Sequence, residues 1–77
     1  MKMIQILGSG CSKCHKLEES AKQAADAIGL DYQIEKITDV TRFADFGVML
    51  TPAMAVDGEV KVSGRVPSIE ELKQLLQ

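Results

Sequence analysis

Aromatic side chains are scarce in this 77-residue sequence, which has one Tyr, two Phe and no Trp. Positive charge is not in excess either, because the formal net charge is −2 at pH 7. Binding to a phosphate backbone needs a net basic face, and binding to single-stranded nucleic acid needs aromatic stacking platforms. The composition therefore argues against nucleic acid as a partner.

Long apolar runs are also missing. The apolar segment at the start of the sequence, from Met1 to Leu7, includes Lys2 and stops at Gly8. It is too short for the apolar core of a secretory signal or for a membrane span. We therefore expect no membrane partner and a cytoplasmic location. A chain of this length favours a single domain over residues 1–77, and we expect a monomer.

Cysteine occurs only twice, at Cys11 and Cys14, within the segment GSGCSKCH of residues 8–15. This segment follows an apolar, strand-like run and opens a helix-like one. The first turn of a helix has unpaired N–H groups and the positive end of the helix dipole, which together lower the pKa of a thiol there. Two thiols at this spacing and place predict a redox centre of the thioredoxin type.

The helix that starts at Cys11 separates the two thiols. Apolar residues recur at spacings of three and four up to the C-cap expected at Gly29, namely Cys14, Leu17, Ala21, Ala24 or Ala25, and Ile28. Cys14 falls on this buried stripe, whereas Cys11 lies at the open tip, about 60° away around the axis. On the solvent side, Glu18 and Lys22 are predicted to form an i, i+4 ion pair.

Periodicity and turn residues divide the remaining chain into further elements. The expected strands are Met3 to Leu7, Asp31 to Ile37, Ala53 to Val56 and Glu59 to Val62, the last two joined by an Asp57-Gly58 turn. Asp39 is expected to cap a short helix with Val40, Phe43, Ala44 and Gly47 on its inner side, a face that Phe46 makes broad. Ser68 is expected to cap a last helix, and the inner side of that helix is expected to carry Ile69, Leu72, Leu75 and Leu76. Val60 and Val62 are expected on one face of their strand. The predicted order is β-α-β-α-β-β-α, an α/β fold.

This order, with two cysteines after the first strand and Thr51-Pro52 before the hairpin, resembles the thioredoxin fold. The whole chain is more closely similar to small, archaeal-type thioredoxin-like proteins called redox-active disulfide proteins. The segments that carry the resemblance are residues 8–14, Gly47-Val48, Thr51-Pro52-Ala53, Val56-Asp57-Gly58 and residues 64–68. The resemblance implies a four-stranded mixed sheet flanked by helices.

The resemblance also implies roles for residues outside the cysteine motif. It places a cis peptide bond before Pro52, leaves Thr51 backbone groups to pair with a substrate chain, and brings Gly64 close to the site. Two positions depart from larger thioredoxins: Gly10 replaces an aromatic residue, and Gln5 replaces the buried acid that accepts the second thiol's proton. Residues 64–68 lack the pattern with which glutaredoxins bind glutathione.

The resulting hypothesis is a small thiol-disulfide oxidoreductase that needs no cofactor and no metal. Cys11 would attack a protein or small-molecule disulfide, and Cys14 would then attack Cys11 to release the reduced substrate. Lys13, with a smaller contribution from His15, is expected to favour the Cys11 thiolate because nearby cations stabilise it. The partners would be a disulfide-containing protein and a reductase.

Three alternatives use the same cysteines. A carrier domain for a soft ion such as Cu(I) would hold it with two thiolates, but such domains should have a strand where Thr41 to Leu50 predicts a helix. Closed zinc sites need four ligands, and the two thiols and His15 supply three. Residues 11–15 also match the c-type haem attachment pattern, yet no signal for export and no haem pocket are evident.

Overall fold

The computed structural model describes residues 1–8 and 12–77. The elements along the chain are β1 (Lys2–Leu7), α1 (Ser12–Ala27), β2 (Tyr32–Ile37), α2 (Val40–Phe46), β3 (Ala53–Val56), β4 (Glu59–Ser63) and α3 (Ile69–Leu76). The predicted order of strands and helices is confirmed. Gly29 follows the first helix with a φ of 67°, in the left-handed region expected of a residue that ends a helix.

The strands form a four-stranded sheet in the order β2-β1-β3-β4 within the described part of the chain. β1 pairs with β2 in parallel and with β3 in antiparallel orientation, and β3 pairs with β4 in antiparallel orientation. β1 and β2 are parallel because a helix connects them, and β3 and β4 are antiparallel because a tight turn joins them. The mixed sheet implied by the resemblance is therefore present.

Side chains alternate between the two faces of the sheet and form two apolar clusters. The α1-side cluster contains Ile4 and Ile6 of β1 together with buried residues of α1, β3, β4 and α3. The α2-side cluster contains Leu7, Ile37, Val48, Ala53 and Ala55, with Phe43 and Phe46 packed against it. The sheet thus lies between α1 and α3 on one face and α2 on the other, which is the layered arrangement of a thioredoxin fold.

The helix ends and the hairpin turn follow the predicted local chemistry. Asp39 Oδ1 accepts a hydrogen bond from the Thr41 N–H at 2.9 Å, and Ser68 Oγ accepts one from the Glu71 N–H at 3.2 Å. The turn residues Asp57 and Gly58 have φ values of 52° and 87°. Positive φ at both positions is typical of the two-residue turn that matches the twist of a hairpin.

The prediction about side-chain direction in β4 is wrong. Val60 and Val62 do not share a face, because a bulge between Met54 and Ala55 in the pairing with β4 places Val60 opposite Ala55 and Val62 opposite Met54. The two valines consequently join different clusters. A bulge inserts one residue into one strand and so reverses the alternation beyond it.

The predicted inner side of α2 is right at Phe43 and wrong at Val40, Ala44 and Gly47, which are exposed. Val40 is 67% exposed and Ala44 is exposed, whereas Phe43 and Phe46 pack against the α2-side cluster. In α3, Leu72 and Leu76 are buried as predicted, while Ile69 at its start remains 36% exposed. The larger aromatic side chains therefore determine which side of α2 faces the sheet.

The first strand and the last helix meet through a polar contact. Lys2 Nζ donates a hydrogen bond to the Leu76 carbonyl oxygen at 3.0 Å. A cation at the C-terminal end of a helix is favourable because the unpaired carbonyls there carry partial negative charge. None of the helices in residues 1–8 and 12–77 is long and apolar enough to cross a membrane.

Candidate active site

The register of the sheet brings four loop positions to one edge. Leu7 at the end of β1 pairs with Ile37 of β2 on one side and with Ala53 of β3 on the other, and Ala53 pairs with Ser63 of β4. The residues adjoining these positions along the chain are Gly8, Thr38, Pro52 and Gly64. Three of the segments predicted to form the site, which contain Gly8, Pro52 and Gly64, therefore meet at this edge of the sheet.

Cys14 lies in this region and is packed against Gly8. Its side chain is 6% exposed, in agreement with its predicted place on the buried stripe of α1. A Cβ atom added to Gly8 would lie only 2.1 Å from Cys14 Sγ. Glycine at position 8 thus leaves the room that the thiol occupies. Cys11, the predicted attacking residue, lies outside the described residues.

The Thr51-Pro52 segment stands at the same edge. The peptide bond between the two residues is cis; Pro52 is buried and Thr51 is exposed. The Gly64 N–H donates a hydrogen bond to the Pro52 carbonyl at 2.8 Å. Gly64 has a φ of 80°, and a Cβ there would lie 3.1 Å from Leu50 Cβ, so a close approach and a positive φ both favour glycine.

The two side chains that flank Cys14 in the sequence differ in their placement. Lys13 and His15 are both exposed in the first turn of α1. His15 lines a pocket that Cys14 also lines, and the other lining residues are Ile6, Gly8, Glu18, Lys36 and Thr38. This pocket lies between α1 and the neighbouring strands β1 and β2.

Glu18 is the unexpected member of the pocket. The predicted ion pair with Lys22 is present at 3.4 Å, but the expectation that Glu18 lies on the solvent side is wrong, because its side chain is only 11% exposed. Lys36 Nζ lies 3.2 Å from Glu18 Oε1 and provides a second ion pair from β2. Two ammonium groups thus offset the cost of burying the carboxylate.

The protonation of Glu18 follows from these contacts. Burial by itself would raise the pKa of Glu18, but the hydrogen bond and charge of Lys36, followed by those of Lys22, lower the pKa below its ordinary value. The carboxylate is therefore ionised at neutral pH.

Gln5, which stands where larger thioredoxins have a buried acid, has a different role in this structure. It occupies the face of β1 opposite to Ile4 and Ile6 and so points away from α1. Its Oε1 accepts a hydrogen bond from the Gly58 N–H at 2.9 Å. Gln5 thus binds the hairpin turn.

Sequence reasoning missed Glu18 and Lys36 as site residues, although a signal was present for both. Glu18 follows Cys14 by four residues and thus lies one helical turn away on the same side. Lys36 shares the alternation of Tyr32 and Ile34, which pack against the α1-side cluster. In residues 1–8 and 12–77, no group of three or more His, Cys, Asp or Glu residues is arranged to hold a metal ion.

The fold and the placement of Cys14 are those of a thioredoxin-like protein. The sequence profile of the family described as Thioredoxin domain matches residues 2–77. The chain is 43% identical over 76 residues to a thioredoxin of Methanothermobacter thermautotrophicus, with 99% of each chain covered. It is 40% identical over 77 residues to a thioredoxin of Methanocaldococcus jannaschii, covering all of this chain and 88% of that protein.

This chain belongs to the thioredoxin family and is a thiol-disulfide oxidoreductase. Thioredoxins act on disulfide substrates together with a reductase.

Proposed function

We propose that the chain reduces disulfides through Cys11 and Cys14, with Cys11 as the attacking and Cys14 as the resolving thiol. The observation that carries this assignment is the burial of Cys14 against Gly8, because a sheltered thiol is poorly placed to meet an external disulfide. Cys11, three residues earlier, is the other thiol of the chain. The proposed unit is a single domain over residues 1–77.

The exchange has two steps. The Cys11 thiolate attacks one sulfur of the substrate disulfide, which forms a mixed disulfide and releases the other substrate sulfur as a thiolate. The Cys14 thiolate then attacks Cys11 Sγ, which forms the Cys11–Cys14 disulfide and releases the second substrate sulfur. The substrate gains two electrons and takes up protons, and a dithiol reductase must return two electrons to the pair.

Substrate contacts are assigned to the edge of the sheet beside Cys14. Thr51 is exposed there, next to the buried Pro52, and its backbone would pair with an extended segment of the substrate. Gly64, held to Pro52 by a backbone hydrogen bond, would leave room for that segment. Lys13, exposed in the first turn of α1, would favour the Cys11 thiolate by its charge.

The proposed partners are a disulfide-containing protein and a reductase, and the proposed setting is the cytoplasm with the chain as a monomer. The Cu(I)-carrier alternative is less favoured, because α2 covers Val40–Phe46, where such a carrier should have a strand.

Trapping tests the two thiol roles. Cys14→Ser should accumulate a mixed disulfide on Cys11 when the protein meets a disulfide substrate, because the resolving thiol is gone. The matched control, Cys11→Ser, should accumulate none. Mass spectrometry under non-reducing conditions measures both. Equal trapping by the two variants would contradict the assignment.

A further inference from the structure

The pocket beside Cys14 raises the question of what ionises this thiol. Larger thioredoxins use an acid at the position of Gln5, but Gln5 binds the hairpin turn on the other face of the sheet. A different charged group, the Glu18–Lys36 pair, lines the same pocket as Cys14.

We propose that Lys36, held in place by Glu18, stabilises the Cys14 thiolate in the resolving step, and that no carboxylate accepts the thiol's proton. The inference rests on the proposed role of Cys14 as the resolving thiol. Lys36 is a positioning residue in this account, since it acts on the ionisation of Cys14 and not on the substrate.

Geometry places Lys36 in the same pocket as Cys14. β2 places Lys36 beside Ile6 of β1, and Ile6, Cys14 and Lys36 all line the pocket. The side chain of Lys36 is 55% exposed, so it extends from the ion pair with Glu18 to solvent. The pocket therefore gives the proton of the Cys14 thiol a way out to solvent.

The charges in the pocket indicate which group, the Glu18 carboxylate or the Lys36 ammonium group, stabilises the Cys14 thiolate. Glu18 pairs with two ammonium groups, that of Lys36, which lines the pocket, and that of Lys22, which is not among its lining residues, so the negative charge of the carboxylate is more than offset. His15 from α1 is the other titratable side chain, besides Cys14, Glu18 and Lys36, among the described residues that line the pocket. A cation near a thiol favours its thiolate.

Glu18 is a weak candidate for the proton acceptor. A general base is most effective when its proton affinity is matched to the working pH. Two ammonium groups hold the Glu18 carboxylate in its ionised form, so it takes up a proton only under acidic conditions. Its negative charge also opposes a thiolate in the same pocket. Glu18 therefore fixes Lys36 in position, and Lys36 provides the favourable charge.

The resolving step then balances without an added reactant. The Cys14 thiol releases its proton to solvent, and the resulting thiolate attacks Cys11 Sγ of the mixed disulfide. The Cys11–Cys14 bond forms as the bond between Cys11 and the substrate sulfur breaks. The substrate sulfur leaves with the electron pair and takes up a proton.

A titration of Cys14 tests the proposal directly. In a Cys11→Ser background Cys14 is the one remaining thiol, and ultraviolet absorbance of its thiolate follows its ionisation with pH. Lys36→Gln should move the titration midpoint upward by about one pH unit, because an opposite charge near the thiol is lost. Lys36→Arg should restore the midpoint. An unchanged midpoint in Lys36→Gln would overturn the proposal.

Glu18→Gln should shift the titration midpoint of Cys14 in the direction opposite to that of Lys36→Gln. The amide oxygen still accepts a hydrogen bond from Lys36, but the negative charge is gone, so the midpoint of Cys14 should move downward. Lys22→Gln is the matched control, since it removes a cation that pairs with the same carboxylate one turn farther from Cys14; its shift should be smaller than that of Lys36→Gln. An upward shift in Glu18→Gln would contradict the proposal.

Turnover of a small aromatic disulfide, with both cysteines present, supplies the second readout. Lys36→Gln should be about three- to fourfold slower at neutral pH, because a tenfold smaller thiolate fraction is partly offset by the greater nucleophilicity of a thiolate of higher pKa. The rate should recover at alkaline pH, where Cys14 is ionised in every variant. Glu18→Gln should be faster at neutral pH, because a lower Cys14 midpoint leaves a larger fraction of the thiol ionised. A neutral-pH loss confined to Glu18→Gln would identify the carboxylate as the base and overturn the proposal.

The two proposals fail in different ways. Reversed thiol roles would appear as trapping by Cys11→Ser, while the titration of Cys14 would still respond to Lys36. Circular dichroism checks that each variant is folded. The double variant Glu18→Gln, Lys36→Gln keeps a neutral hydrogen-bonding pair in the pocket, and its midpoint should fall between those of the two single variants; a midpoint equal to that of Glu18→Gln alone would contradict the role of Lys36.

Discussion

At one end of the β1–β3 pair, Gly8 packs against the buried thiol of Cys14 and Pro52 precedes the first residue of β3. At the other end, polar side chains bind the hairpin turn. Gln5 accepts from the Gly58 N–H, and Asp57 Oδ1 accepts from the Met3 N–H at 2.9 Å. The Asp57 N–H in turn donates to the Met3 carbonyl at 2.8 Å.

The difference between the two ends separates function from stability. At the turn, the side chains of Gln5 and Asp57 accept hydrogen bonds from backbone N–H groups and so stabilise the fold. At the edge beside Cys14, two glycines lack side chains and the charged pair Glu18–Lys36 lies next to the thiol. Substitutions at the two ends should therefore have different signatures in activity and in the free energy of unfolding.

The largest expected effect is that of Gly8→Ala. The added methyl group would lie 2.1 Å from Cys14 Sγ and 3.1 Å from Cys14 Cβ, so the thiol must move. Overpacking of this kind costs about 1–3 kcal/mol of folding stability. We expect that loss in chemical denaturation, together with a large loss of disulfide-reduction rate.

A double-mutant cycle identifies the cause of that loss. Cys14→Ala removes Sγ, so Gly8→Ala should cost less stability in this background than in the original chain. An equal cost in both backgrounds would show that the thiol is not the atom that conflicts with position 8.

An intermediate effect is expected for Gly64→Ala, with Gly47→Ala as the matched control. The two glycines have similar φ values, 80° and 75°, but a Cβ would crowd Leu50 only at Gly64 and would meet nothing within 4 Å at Gly47. A left-handed alanine costs about 1–2 kcal/mol at either place. Thermal unfolding should show the greater loss at Gly64, and only Gly64→Ala should slow turnover; equal losses at both positions would contradict the crowding.

The smallest effect is expected at the turn. Gln5→Ala removes the acceptor for the Gly58 N–H and should cost about 1 kcal/mol of stability, as is usual for one hydrogen bond. The rate of disulfide reduction should not change, since Gln5 faces away from α1. Gln5→Glu retains an acceptor and should keep most of the stability. A loss of turnover in Gln5→Ala would argue against the separation of the two ends.

Local patterns in the sequence predicted much of this fold. The caps at Asp39 and Ser68 and the turn at Asp57-Gly58 depend on side chains acting on their own backbone, and the structure has all of them. The burial of Cys14 follows from the helical stripe. These features need no knowledge of distant parts of the chain.

The failures have non-local causes. The burial of Glu18 depends on Lys36, which lies on another element, and a helical pattern alone cannot show that a cation from β2 will meet it. Val60 and Val62 point to opposite faces because the pairing with β3 contains a bulge, which alternation within β4 does not reveal. In α2, Phe43 and Phe46 pack against the sheet while the smaller Val40 and Ala44 stay exposed. This choice depends on packing against the sheet, which the helical pattern alone does not contain.

The hydrogen bond from Lys2 to the Leu76 carbonyl has a practical consequence for experiments. Lys2 starts β1 while Leu7 at the other end adjoins Gly8, and this strand spans about 17 Å at the usual rise per residue. The residues near the two ends of the sequence therefore lie close to each other and far from Cys14. A fluorescent label or surface tether attached at either end should leave the redox edge open to incoming molecules.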